Sequence, residues 1–232
     1  MGTYGFYEYI IDSKKYTAYT QFDADTMWSI LSRQIYVLLK HYGSVELLKN
    51  AFKQIKIIDN TTQPTQTEIN ELIIYYDPQV GTQRKNDWYC LLRKTQMNLI
   101  LTLNSGYMLF EKYIPDVFLF TIDFDNNKLS FQYSGEKKEE CNIEDVFTNI
   151  TNPPTITYDE YIAEFKTQSM MHIKNHELIS NINLNLKQLL NYVNHNCKFD
   201  VKNMLSNMRI LEYYYSYSKL TSLLYPNNQN NN

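Results

Sequence analysis

The hydrophobic pattern of residues 4–22 is that of a β-hairpin. Two aromatic runs, at residues 4–11 and 16–22, flank a polar tetrapeptide at residues 12–15, which is typical of antiparallel strands joined by a turn. Alternate residues of a strand lie on opposite faces. In the first run both faces are rich in apolar residues: Tyr4, Phe6 and Ile10 on one, and Tyr7, Tyr9 and Ile11 on the other. Such a strand usually lies inside a sheet covered on both sides, so we predict a sheet covered by helices.

Apolar residues at helical spacing predict four helices between this hairpin and residue 96. Recurrence every three or four residues places the apolar side chains on one helical face. The predicted starts are Asp23 or Asp25, Ser44, Thr65 and Asp87, and the predicted ends are Gly43, the region of Ile55, Asp77 and about Gln96. Asp, Ser and Thr at these starts can accept hydrogen bonds from the first free N–H groups of a helix. Residues 97–114 fit either a helical continuation or irregular structure.

The second half of the chain predicts another hairpin. Residues 117–124 and 128–133 have strand character and flank the turn Asp125-Asn126-Asn127, where Asn and Asp tolerate left-handed geometry. The alternating charges of residues 136–140 predict a solvated loop. Pro153-Pro154 marks the best boundary between domains.

These patterns together predict an α+β fold. Its sheet would be antiparallel and built from at least two hairpins, at about residues 4–22 and 117–133. The predicted units are an α+β body at residues 1–150, a helical C-terminal part at residues 155–225, and a disordered, Asn-rich tail at residues 226–232.

Composition narrows the class of protein. The chain has 232 residues, 44% of them hydrophobic, and a formal net charge of −3, so it can bury a large core and lacks the basic excess of a generic nucleic-acid binder. No apolar run is long enough to span a bilayer, and the first residues lack a secretory signal. Three widely spaced cysteines favour a reducing compartment, so we expect a cytoplasmic protein. The 21 tyrosines are explained most simply by an AT-rich genome.

The N-terminal motif resembles the opening of a family of uncharacterised proteins. Those proteins begin Met-Gly-Thr-Arg-Gly, and their second strand ends Tyr-Asn-His-Phe-Asp-Ser-Tyr-Pro. Here the matching runs are Met1-Gly2-Thr3-x-Gly5-Phe6 and Tyr19-x-x-Phe22-Asp23, followed by Trp88-x-x-Leu91-Leu92-Arg93-x-x-Gln96 and Ile122-Asp123-Phe124-Asp125. The chain departs from the pattern at Tyr4, Thr20-Gln21 and Ala24-Asp25. The resemblance covers about the first 135 residues and implies a fold rather than an activity.

The layout of the first hairpin is also loosely similar to that of N-terminal-nucleophile hydrolases. In those enzymes the first residue of strand one is Thr, Ser or Cys, and its own free α-amine acts as the base. Thr3 would be the nucleophile here, with Asp23 or Asp25 nearby if the hairpin pairs as predicted. Removal of Met1 exposes Gly2 rather than Thr3, so a second cleavage would be needed, and we favour a structural role for all three residues.

Other candidate sites are incomplete. His172 and His176 are spaced to share a helical face, but no third metal ligand is evident, so we predict no metal. The run from Asp123 to Asn127 resembles half of a calcium loop, but lysine occupies the position of the required glycine. The six glycines are scattered and form no phosphate-binding loop. We therefore predict no cofactor.

The sequence instead favours a non-catalytic interaction protein, because no catalytic set is complete. Aromatic residues and arginine are enriched at protein interfaces. The candidate binding residues are Trp88, Tyr89, Arg93, Tyr213, Tyr214 and Tyr217. We expect a protein partner or self-association, no membrane contact and no nucleic acid, with an amide hydrolase acting through Thr3 as the alternative.

Overall fold

The computed structural model describes residues 3–59, 61–77 and 86–174. Within these ranges the strands are β1 (Gly5–Ile11), β2 (Lys14–Thr20), β3 (Lys56–Ile58), β4 (Tyr107–Leu109), β5 (Phe118–Asp123), β6 (Lys128–Tyr133) and β7 (Glu136–Asn142). The helices are α1 (Met27–Tyr42), α2 (Val45–Lys53), α3 (Gln66–Leu72), α4 (Trp88–Leu91), α5 (Leu99–Ser105), α6 (Val146–Asn149) and α7 (158–174). The predicted α+β class is confirmed.

Both predicted hairpins form, and they meet in one five-stranded sheet. The strand order is β2-β1-β5-β6-β7, and β3 and β4 make a separate two-stranded sheet. The hairpin strands pair antiparallel, whereas β1 and β5 run parallel, with Gly5 opposite Phe118. A parallel pair needs a long crossover connection, and here residues 21–117 supply it. The sheet is therefore mixed, because the two antiparallel hairpins join through a parallel pair.

Strand β1 lies inside the sheet and is buried on both faces. Its inner face, with Tyr7 and Tyr9 at 2% and 1% exposure, packs in the main core with residues of α1, α2 and α5. Its outer face carries Phe6, which packs with Leu119 and the partly buried Tyr113. This two-sided burial explains why the first hairpin is apolar on both faces.

Buried Glu8 on the outer face of β1 is the polar exception to this pattern. Its carboxylate accepts hydrogen bonds from Thr121 Oγ1 at 3.0 Å and Thr17 Oγ1 at 3.5 Å, and Lys15 Nζ lies 3.6 Å away. A buried charge is costly unless it is paired and hydrogen-bonded. Neighbouring strands supply those partners, so the carboxylate is accommodated inside the sheet.

Local capping signals are mostly where the sequence predicts them. The side chains of Ser44 and Asp87 accept backbone N–H hydrogen bonds at the starts of α2 and α4. Thr65 and Glu68 form the predicted capping box of α3, and Gly43 ends α1 with a left-handed φ of 85°. These contacts span only three or four residues, and for that reason they can be inferred from sequence.

Three predictions about segment boundaries are wrong. A 3₁₀ turn at Ala24–Thr26 separates Asp23 from α1, so neither Asp23 nor Asp25 caps that helix. The helix predicted to reach Gln96 ends at Leu91 and is followed by a 3₁₀ turn at Arg93–Thr95. The predicted loop at residues 136–140 is part of edge strand β7, whose many charges protect the edge from further pairing.

The tips of the two hairpins are joined through Asp125. Its carboxylate accepts the backbone N–H groups of Asp12 and Ser13 at 3.0 and 2.7 Å and the Lys49 ammonium at 2.9 Å. These contacts, the Ser13 hydrogen bond first, lower the pKa of Asp125 to about 2. Asp125 thus connects the turn of one hairpin to the turn of the other.

The described part of the C-terminal region is helix α7, and it packs on the body. Tyr161 and Phe165 are each 1% exposed and belong to the main core. Phe165 stacks on Tyr75 with centroids 5.3 Å apart. Thr157 and Glu160 form a reciprocal cap at the helix start. The predictions for residues 175–232, including the tail, lie outside the described residues.

Candidate functional site

Four aromatic side chains and an arginine lie where the open end of the first hairpin meets α4. We call this group the aromatic corner: Tyr4, Tyr19, Phe22, Tyr89 and Arg93. Tyr4 and Phe22 are 52% and 49% exposed. The corner thus contains two predicted binding residues, Tyr89 and Arg93, together with Tyr19 and Phe22 of the N-terminal motif.

Arg93 lies at the centre of the aromatic corner. Its Cζ is 5.4 Å from the ring centroids of both Phe22 and Tyr89, which is cation–π distance. Nη1 also donates to Gln96 Oε1. The guanidinium is buried, and the 3₁₀ turn that carries it directs it beneath the two rings. Arg93 therefore positions the aromatic side chains rather than projecting into solvent.

Tyr89 connects α4 to the hairpin. Asp87 caps the helix by accepting the Tyr89 and Cys90 N–H groups at 2.8 and 3.3 Å. The Tyr89 hydroxyl donates to Gln21 Oε1 at 2.8 Å, across 68 residues of sequence. This hydrogen bond places the Tyr89 ring beside Phe22, so two distant segments make one surface.

Tyr19 lies between the exposed edge of the corner and the outer core. Its ring centroid is 6.4 Å from that of Tyr4 and 5.6 Å from that of Phe6. Burial, and then the nearby Tyr89, raise the pKa of the Tyr19 hydroxyl. The phenol is therefore protonated at neutral pH and can donate a hydrogen bond to a bound group.

Trp88, another predicted binding residue, is in the core. It is 4% exposed, stacks on Tyr107 with centroids 5.8 Å apart, and donates from Nε1 to Thr62 Oγ1 at 3.3 Å. Its surroundings give it a packing role. Tyr213, Tyr214 and Tyr217 lie outside the described residues.

The structure brings together two of the three candidate catalytic residues. The Thr3 hydroxyl donates to Asp25 Oδ1, and the Asp25 backbone N–H donates back to Thr3 Oγ1 at 3.3 Å. Thr3 O also accepts the Ala24 N–H at 3.3 Å. Asp23 is exposed and takes part through its carbonyl, which accepts from Thr26 N and Oγ1 at 3.0 and 2.7 Å. This arrangement closes the turn that leads into α1.

Lys94 has a perturbed environment that its sequence context did not indicate. Its ammonium donates to Ile74 O at 3.3 Å and Ser169 Oγ at 3.4 Å, and it lies 5.9 Å from the Phe165 ring centroid. Desolvation lowers the pKa of Lys94 to about 8, although the charge of Asp77 opposes the shift. Lys94 thus joins α7 to the body.

The residues that sequence reasoning missed are Tyr4, Tyr19 and Phe22. The alternation of the first run places Tyr4 on a strand face, and Tyr19 and Phe22 enter only through the resemblance to the uncharacterised family, so neither pattern marks them as a binding site.

Comparison with protein-family models, curated proteins and solved structures finds no match to this chain. The likeness of the first 135 residues to an uncharacterised family thus stays a prediction from its motifs. Within the described ranges no three His, Cys, Asp or Glu side chains are grouped to hold a metal ion. Among the same residues, none of the helices has the length and apolar character needed to cross a bilayer.

Proposed function

We propose that this chain is a non-catalytic cytoplasmic protein that binds a protein partner, or a second copy of itself, through the aromatic corner. The observation that carries the proposal is the exposure of Tyr4 and of Phe22, the second of which lies against the buried Arg93. Tyr, Phe and Arg are enriched at protein interfaces, and aromatic rings bury a large area with few rotatable bonds.

The contacts within the corner also support this role. Phe22 and Tyr89 both lie against Arg93, and the Tyr89 hydroxyl donates a hydrogen bond to Gln21. Side chains that such contacts orient before binding lose less conformational entropy when a partner docks.

Photo-crosslinking at Phe22 is expected to capture the partner. With p-benzoylphenylalanine at position 22, illumination of cells should give one discrete adduct, of either a dimer or a complex. Tyr4→Ala in the same chain should lower the adduct yield by about fivefold or more, since central aromatic contacts typically contribute over 1 kcal/mol to binding. Immunoblotting and mass spectrometry of the adduct identify the partner.

The matched control places the same photoreactive residue at Phe147. That side chain is 46% exposed, close to the value for Phe22, but it packs on Tyr36 away from the corner. No discrete adduct is expected there. Equal adducts at both positions, or none at position 22, would refute the proposal.

An amide hydrolase of the N-terminal-nucleophile kind is the second candidate, and the Thr3–Asp25 hydrogen bond favours it. A free α-amine on Thr3 is required, because that amine is the catalytic base. Intact-mass spectrometry of the protein from its native source decides between the two. We expect a chain that begins at Met1 or Gly2; a chain that begins at Thr3 would favour the hydrolase.

A further inference from the structure

A second concave site lies at the other end of the first hairpin, about 20 Å along β1 from the aromatic corner. It is a cavity of about 170 Å³ between the turn end of the hairpin, the C-terminal end of α2 and strand β3. We call it the hairpin cavity. Its walls combine aromatic and aliphatic side chains with charged groups at the rim.

The walls of the hairpin cavity are built from a stack of rings. Tyr9 stacks on Tyr16 with centroids 4.9 Å apart and an interplanar angle of 23°, and Phe52 meets Tyr9 edge-on, also at 4.9 Å. Ile11 and Ile55 complete the apolar surface, with exposures of 3% and 7%. Such a surface suits a flat apolar group, because aromatic rings prefer offset or edge-on contacts.

Tyr9 supplies a polar group to this wall. Its side chain is 1% exposed and lines the cavity. Burial first, then Tyr16 and Tyr7, raise the pKa of Tyr9, so the phenol stays protonated. A protonated phenol on a cavity wall can donate a hydrogen bond to an acceptor group on a ligand.

Lys14 supplies positive charge at the rim. It lies opposite Ile11 in the hairpin register, so alternation places it on the same face as Tyr16, towards the cavity that both residues line. Lys53, also on the rim, is paired with Asp12 at 3.0 Å. Among the described residues no carboxylate forms an ion pair with Lys14, so its charge is available to an anion.

We propose that the hairpin cavity binds a small monocyclic aromatic carboxylate. The ring would occupy the space beside Tyr9, Tyr16 and Phe52. The carboxylate would accept a hydrogen bond from the Tyr9 hydroxyl and would face the Lys14 ammonium. The volume agrees with this class, since a cavity of about 150 Å³ holds one benzene ring. This site is separate from the aromatic corner, and either proposal can fail alone.

Benzoate is the probe that tests the proposal. In titrations of the full chain followed by two-dimensional NMR, we expect saturable shifts at residues lining the cavity and a dissociation constant in the millimolar range. Benzamide, which has the same shape without the charge, should bind more weakly. Tyr9→Phe keeps the ring but removes the hydroxyl. It should raise the dissociation constant for benzoate about tenfold, as expected for the loss of a hydrogen bond to a charged group.

Two neighbouring lysines provide matched variants. Lys14→Gln should weaken benzoate binding by about 1.5-fold to fivefold, the usual range for an exposed ion pair, and leave benzamide binding unchanged. Lys15→Gln should change neither, because Lys15 lies on the opposite face, beside Glu8 at 3.6 Å. Absence of saturable shifts up to tens of millimolar benzoate, or equal effects of the two lysine variants, would overturn the proposal.

Discussion

Gly5→Ala is expected to lower the free energy of unfolding by about 3 kcal/mol, near the upper end of overpacking substitutions. A Cβ at this position would lie 2.6 Å from Phe118 O and 2.9 Å from Ala24 Cβ. Phe118 O belongs to the backbone of β5, the parallel partner of β1. It cannot retreat without disturbing the ladder that joins the two hairpins. Urea denaturation of the variant and the wild type measures the difference.

Gly43→Ala is the matched control for this substitution. Gly43 has a φ of 85°, and nothing lies within 4 Å of its added Cβ. The variant should therefore lose only about 1 kcal/mol of unfolding free energy, through the strain of a left-handed backbone. Equal losses of stability in the two variants would show that contact with Phe118 and Ala24 does not constrain position 5.

The double variant Gly5→Ala with Ala24→Gly separates the contact of the added Cβ with Ala24 from its contacts with Phe118. Removing the Ala24 methyl relieves the 2.9 Å contact but leaves the Cβ 2.6 Å from Phe118 O. Only part of the lost stability should return. The substitution at Ala24 also bears on the aromatic corner. Ala24 follows Phe22 by two residues, and its backbone N–H donates to Thr3 O, next to Tyr4.

Gln34→Leu is expected to lower the free energy of unfolding by about 3 kcal/mol. The substitution removes the side-chain amide that is the hydrogen-bond partner of two buried backbone groups. Gln34, on α1, is 1% exposed. Its Oε1 accepts the Leu99 N–H at 2.6 Å, and its Nε2 donates to Met97 O at 3.2 Å. Met97 has a left-handed φ of 54° just before α5. Leucine has similar size, so the loss is mainly of hydrogen bonds.

Gln66→Leu makes the same chemical change on the exposed surface of α3. Its effect should stay within about 0.5 kcal/mol, as is usual for surface positions. Chemical denaturation followed by far-UV circular dichroism compares both variants with the wild type. If Gln34→Leu is as stable as Gln66→Leu, the amide of Gln34 is not needed to hold the turn before α5.

The parts of the fold that sequence predicted depend on local contacts. Ser44, Thr65 and Asp87 cap helices through bonds to residues two or three positions away. The hairpins depend on pairing across short turns. The candidate site was anticipated less completely. Residue type alone marks Tyr89 and Arg93 as candidates. The contacts of Tyr89 with Gln21 and of Arg93 with Phe22 join segments about 70 residues apart, which composition cannot reveal.

The sequence by itself determined the α+β class, both hairpins and most helix starts, because periodicity and capping act over a few residues. Only the tertiary structure decided that β1 pairs parallel with β5, that Trp88 is buried, and that Arg93 lies beneath two rings. It also decided that the ring wall of the hairpin cavity encloses space beside Lys14. Each of these features needs residues that are distant in sequence to meet, and their meeting depends on how whole elements pack.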